Sequence, residues 1–235
     1  MTVFKFNAQK YGKKTVFLQL LLKNTTRIGK TFYSVFIRMT SDSLQYICVY
    51  CASSTQIQEA YFDAANRLGK IFAESGITLV YGGGATGLMG KVADSLLESG
   101  GKVIGVIPRF MCEEKWEHTG VTDLIVTESM HERKEKMAMM ADAAVALPGG
   151  CGTMEELLEV ITWKQLGIFT KPIVILNTNG YYDSLIDMLH QAVEENFMRD
   201  IHKDIWTVVN LPEEIIPAIM SAPKWDKSVR KFAAL

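Results

Sequence analysis

Two short stretches gather residues that could do chemistry. In "ALPGGCGTMEELLE" an apolar run stops at a proline, three glycines follow within four residues, and Thr153, Glu155 and Glu156 come next. In "SMHERKEKM" His131, Arg133 and Lys134 crowd the opening turns of a helical pattern. Cations at a helix N-terminus oppose the macrodipole, so their reason is expected outside their own helix, in a phosphate or a catalytic carboxylate. A solvated charged face is the plainer alternative. His131 has no neighbours at metal-ligand spacing. Gly149, Gly150 and Gly152 remove side chains where a helix begins, and N–H groups there, with the dipole, would hold an anion. Thr153 and Glu156 are also spaced as a capping box, so Glu156 has a purely structural reading beside the catalytic one. One cap cannot use both glutamates, and an anion site gains nothing from either, so at least one should have another task.

A second glycine-rich stretch, "GGGATGLMG" from Gly82 to Gly90, follows a strand-like run. As a dinucleotide fingerprint it lacks the acid expected at the end of the next strand, where Pro108 and Arg109 stand. As a P-loop it has the wrong spacing, and Val92 follows Lys91. Two readings remain: a strand-to-helix turn offering N–H groups to an anion, or a tight turn for close helix–sheet packing.

The elements that must carry these residues are legible from Tyr46 onward. Strand-like runs "YICVYC", "ITLVYGGG", "KVIGVIP", "TDLIVTE", "AAVALPGG", "KPIVILN" and the weaker "IWTVV" alternate with helical patterns over 57–75, 87–99, 130–141, 154–167, 181–195 and 211–221. Ser129 and Glu132 fit a capping box for the helix over 130–141, and the polar stretch 109–120 carries no element. Continuous apolar strands alternating with helices predict an α/β fold. It is a Rossmann-like parallel sheet with helices on both faces, a three-layer sandwich. Ligands of such sheets lie beyond the carboxyl ends of the strands, where 81–90, 129–134 and 148–156 all fall.

The 235-residue chain carries a net charge of −1, unevenly spread: residues 1–45 hold eight basic residues and one acid, which leaves the remainder at −8. The expected organisation is a basic N-terminal extension, 1–45, and a single domain, 46–235. A targeting role for the extension is disfavoured, because its apolar run "VFLQLLL" is short and no cleavage signal follows. An acidic body is a poor platform for nucleic acid, and no segment is long and apolar enough for a membrane span. The four cysteines need no disulfides in a chain of this size, which points to the reducing cytoplasm. Cys48 and Cys51 form a C-x-x-C inside a strand, without a second ligand pair, and read as core cysteines.

The two stretches together, "SMHERKEKM" and "LPGGCGTMEE", resemble the Lonely Guy family, whose signature is P-G-G-x-G-T-x-x-E; "YGGGATGLMG" looks like the family's other glycine stretch. The resemblance runs from about Tyr46 to the last helix. It implies a homodimeric, Rossmann-like hydrolase, often labelled a lysine decarboxylase. The implied reaction cleaves the N-glycosidic bond of N6-substituted adenosine 5′-monophosphates, giving free cytokinin base and ribose 5-phosphate, with no metal or cofactor. Carried over residue by residue, it makes Arg133 and Glu156 catalytic. It assigns substrate and phosphate contacts to Gly83, Gly84, Met130, Lys134, Gly149, Gly150, Cys151, Gly152, Thr153 and Glu155. In one respect the chain departs from the pattern: Lys115, beside Glu114, stands where many relatives place a nucleotide-holding glutamate. The base is therefore left open, with a broader nucleotide nucleosidase or a nucleotide carrier of the same fold as alternatives.

Overall fold

The computed structural model describes residues 44–225, 227 and 228. Apart from Leu44 and Gln45, the expected N-terminal extension lies outside the described residues.

Seven strands form one parallel sheet: β1 (Tyr46–Tyr50), β2 (Thr78–Tyr81), β3 (Lys102–Pro108), β4 (Asp123–Thr127), β5 (Ala143–Ala146), β6 (Ile173–Leu176) and β7 (Thr207–Val209). Their order is β4-β3-β2-β1-β5-β6-β7. The chain winds outward from β1 to β4, then crosses to β5 and winds the other way. Right-handed crossovers therefore place helices on opposite faces for the two halves. Helices α1 (Glu59–Ser75) and α2 (Gly87–Glu98) serve the first half; α4 (Met130–Met140), α5 (Cys151–Gln165) and α6 (Asp183–Glu194) follow β4, β5 and β6. The reversal between β1 and β5 opens a crevice at the strand ends, where ligands of such sheets bind.

The core follows from strand alternation. Cys48, Tyr50, Val80, Val106, Ala144, Ala146, Ile173 and Ile175 face one side and pack on Met137, Leu157, Val160 and Ile161. Every residue of β5 and β6 is buried, as central parallel strands require. Cys48 and Cys51 are buried, and burial pushes both thiols well up. They are core residues, Cys48 within β1 and Cys51 just past its end.

Several boundaries differ from the sequence reading. The stretch after β3 does carry an element, the one-turn helix α3 (Arg109–Glu113). The helix expected over 211–221 is a 3-10 turn at Pro212–Glu214 followed by α7 (Ile215–Ser221). Most consequential, α5 begins at Cys151, not after Thr153, with Gly150 as N-cap and no side-chain cap. Thr153 and Glu156 are thus inside the helix, and the capping box drawn for them is not formed. On α4 the expected box forms in modified register: the Glu132 N–H donates to Ser129 Oγ (3.1 Å), while Glu132 Oε2 accepts from the Glu128 N–H (2.9 Å).

Candidate functional site

Arg133 sits in the first turn of α4 with a relative exposure of 7%, and Glu156 on the second turn of α5 with 8%. Neither could stay buried without partners. Arg133 Nη1 donates to Glu156 Oε1 (3.0 Å), Nε to the Val106 carbonyl (3.0 Å) and Nη2 to the Gly82 carbonyl (3.1 Å). Three elements thus fix one guanidinium, and the guanidinium fixes the carboxylate. Gly82 is glycine for this reason: a Cβ there would lie 1.9 Å from Arg133 Nη2. Burial pushes the Glu156 carboxyl up to about 7, against the pull of Arg133; Glu155 adds to the rise and Lys134 opposes it. A carboxyl that titrates near neutrality is suited to exchanging protons there.

Lys134 takes no open position. Its Nζ pairs with Glu155 and with Glu159 (3.2 Å), bracing α4 against α5. The cations at the wrong end of α4 therefore answer carboxylates of α5, the outside reason their placement called for.

The pair lies at a cleft beyond the ends of β5, β1, β2 and β3. Among the residues expected from sequence, Met130, Arg133, Gly150, Gly152, Thr153, Glu155 and Glu156 line it. Gly83, Gly84, Lys134, Gly149 and Cys151 are not in its lining. Residues that sequence reasoning missed complete the wall, notably Gly82, Ser53, Ser54, Met89 and Met111. The glycine-rich stretch Gly82–Gly90 gave a signal for Gly82 and Met89; nothing local marks the others.

The loop into α5 is held from behind. The Tyr181 and Tyr182 hydroxyls donate to the carbonyls of Gly149 and Leu147, both at 2.7 Å, and Asn177 Oδ1 accepts from the Tyr182 N–H (2.7 Å). A Cβ at Gly149 would strike the Thr153 side chain, whereas one at Gly150 or Gly152 would meet nothing within 4 Å. Those two glycines leave space that the protein does not fill. The N–H groups of Cys151, Gly152 and Thr153 occupy helix positions that have no carbonyl one turn back to bond.

Among the described residues no group of three or more His, Cys, Asp or Glu side chains could hold a metal ion. No helix among them is long and apolar enough to cross a membrane.

Solved structures share this fold. The molybdenum cofactor carrier protein from Chlamydomonas reinhardtii superposes with a TM-score of 0.58 at 24% identity, over 75% of this chain and 96% of that one. The molybdenum cofactor binding protein from Rippkaea orientalis superposes with a TM-score of 0.58 at 22% identity, over 77% and 98%. A family model described as "Possible lysine decarboxylase" matches residues 89–219. Among curated proteins, cytokinin riboside 5′-monophosphate phosphoribohydrolase LOG2 of Arabidopsis thaliana is 40% identical over 203 residues, 82% of this chain and 95% of that protein. The LOG enzyme of Oryza sativa subsp. japonica is 44% identical over 189 residues, 77% of each chain. The cleft wall carries a buried carboxylate and an open helix start but no lysine, and with identity of this extent across most of its length the chain belongs to the Lonely Guy family.

Proposed function

We propose that the protein hydrolyses the N-glycosidic bond of adenosine 5′-monophosphates, N6-substituted ones among them, releasing free base and ribose 5-phosphate. The observation that carries this reading is the Arg133–Glu156 pair at a cleft whose other end is an open helix N-terminus. The names of the LOG relatives support the same substrate class.

The 5′-phosphate is held by the first-turn N–H groups of α5, with the helix dipole and the space beside Gly150 and Gly152 favouring it. Anchoring there fixes the ribose over Glu156, so that remote binding energy serves the reacting carbon. As the bond to the base lengthens, positive charge grows on the ribose ring, and the Glu156 carboxylate meets it. Glu156 also takes a proton from the attacking water, whose oxygen bonds to the anomeric carbon as the bond to the base breaks with its electron pair on the base; the base takes a proton from solvent and Glu156 returns its own to solvent. Arg133 is a positioning residue. It aims the carboxylate, and its remaining guanidinium protons leave it able to offset phosphate charge. Lys134 sets the spacing of α4 and α5 through Glu155 and Glu159.

A broader nucleotide nucleosidase is the second reading. Lys115, at the position of the relatives' glutamate, carries no carboxylate; it is exposed and adopts a left-handed φ of 61°. A carrier role rests on fold likeness alone. Base release from AMP, N6-isopentenyl-AMP and adenosine separates the three. The first reading expects the isopentenyl nucleotide to be preferred and adenosine to be far worse than either, since a charge-assisted phosphate contact is lost. Equal rates on AMP and adenosine, or binding without base release, would overturn it.

We further propose a homodimer in the cytoplasm, with a nucleotide substrate and neither nucleic acid nor membrane as partner. The face of α5 bearing Met154, Leu158 and Thr162 forms a groove that shares Glu155 with the lining of the cleft. A second copy seated there would border each cleft. Light scattering of the purified protein tests this. All four cysteines are free, which supports a reducing compartment.

A further inference from the structure

Three donors from outside α5 meet three consecutive carbonyls just before it. The Tyr182 hydroxyl donates to the Leu147 carbonyl (2.7 Å), the Ala52 N–H to that of Pro148 (3.2 Å) and the Tyr181 hydroxyl to that of Gly149 (2.7 Å). Helical register would give each of these carbonyls a different partner, the N–H four residues on. Those partners are Cys151, Gly152 and Thr153, whose N–H groups have no backbone acceptor among the described residues. The next bond in the same register does form, from the Met154 N–H to the Gly150 carbonyl (3.0 Å). The helix ladder thus stops where the outside donors begin.

Two of the three donors are side chains, and the turn before α6 is built to present them. Asn179 and Gly180 both take left-handed backbone, with φ of 55° and 70°. Asn177 ties that turn to the sheet: its N–H donates to the Val209 carbonyl (2.7 Å), and its Nδ2 donates to Asp183 Oδ1 (2.7 Å). Tyr182 is buried, so its hydroxyl needs a protein partner whatever the loop does. Tyr181 differs. It is 42% exposed, with its ring edge-on to Tyr61 of α1 at 6.0 Å and to Tyr182 at 5.0 Å. Water can satisfy a hydroxyl so exposed, and burial does not dictate its bond to Gly149.

Thr153 sits directly over Gly149, since a Cβ at Gly149 would lie 2.1 Å from Thr153 Oγ1. The bond from the Thr153 N–H to the Gly149 carbonyl is therefore close at hand, and the Tyr181 hydroxyl stands in its place. Thr153 lines the cleft, whereas Tyr181 is not in its lining. We propose that Tyr181 is a positioning residue for the substrate's 5′-phosphate: by holding the Gly149 carbonyl out of the helix ladder, it keeps the Thr153 N–H free for the anion. This rests on the nucleotide-hydrolase reading above.

The test is Tyr181→Phe in the full-length protein, which removes the hydroxyl and keeps the ring against Tyr61. The Gly149 carbonyl is then released to accept from the Thr153 N–H, so the helix gains a bond and the site loses a donor. Binding of ribose 5-phosphate, measured by calorimetry, should weaken by about tenfold, the lower end for a hydrogen bond to a charged group. KM for AMP should rise by a similar factor, with kcat at saturation within about twofold of wild type and Tm not lowered. An unchanged affinity for ribose 5-phosphate would overturn the proposal. So would a fall in kcat with KM unmoved, which marks a merely structural role in the loop. A wild type that binds ribose 5-phosphate yet releases no base from AMP would sink the hydrolase reading alone; the two dissociation constants would still decide the role of Tyr181.

Discussion

The loops after β2 and after β5 look alike in sequence, and the structure gives them opposite constructions. Both end a buried strand in glycines and open a helix. After β2 the space is full: Arg133 lies where a Cβ of Gly82 would be, Met89 beside Gly84, the Ser53 backbone against Gly87 and the Ala85 backbone against Gly90. The first turn of α2 is spent as well, because the N–H groups of Leu88 and Met89 both donate to the Ala52 carbonyl, at 2.9 and 3.2 Å. After β5, Gly150 and Gly152 face open space, and the first turn of α5 keeps its donors. One loop is glycine-rich so that protein can pack closely; the other leaves room beside a helix N-terminus. Between the two readings set out for Gly82–Gly90, packing describes the loop, and glycine content alone does not make an anion site.

If that contrast holds, the tight loop serves the carboxylate and the open loop serves the substrate, and substitutions should separate them. The largest effect is expected at the carboxylate. Glu156→Gln keeps an acceptor for Arg133 but no charge, and should lower turnover by about two to three orders of magnitude with nucleotide binding retained. With the carboxyl raised to about 7, wild-type activity should fall about tenfold per pH unit below neutrality as Glu156 takes up its proton. This limb should vanish in the variant. A variant that keeps more than about a tenth of wild-type turnover would remove Glu156 from the chemistry.

Gly82→Ala comes next. The added methyl collides with Arg133, so it should cost about 1–3 kcal/mol of stability and lower kcat with little change in KM. Thermal melts with saturation kinetics read both, and an unaffected kcat would mean that Arg133 does not set the carboxylate. The smallest effect is expected at Gly152→Ala. Nothing in the protein obstructs it, and alanine suits a helix better, so stability should hold or rise by up to about 1 kcal/mol. KM for the nucleotide should rise, by roughly tenfold if the methyl costs one phosphate contact of about 1.5 kcal/mol. An unchanged KM would erase the difference between the loops.

The α/β alternation was readable because burial is periodic along the chain. "AAVA" and "IVIL" are apolar throughout since parallel central strands are covered on both faces. The charged turns of α4 were readable as an anomaly, since they oppose the helix dipole. The short α3 was not: five residues with no buried side chain leave no periodic trace. Nor was the start of α5, because a glycine N-cap without a side-chain bond carries no capping signal.

The sequence by itself determined the strands, the helices and the two glycine-rich corners, because these depend on local turn chemistry and on which residues leave water. Only the tertiary structure decided what those parts do to one another. Arg133 finds a carboxylate 23 residues ahead and a carbonyl 51 residues behind, and it finds them because the sheet reverses between β1 and β5. Glu156 titrates near 7 only where that packing strips water from it. The Gly82–Gly90 loop is filled and the Gly149–Gly152 loop is partly open because side chains distant in sequence either reach a corner or do not, and no spacing within the corner records which.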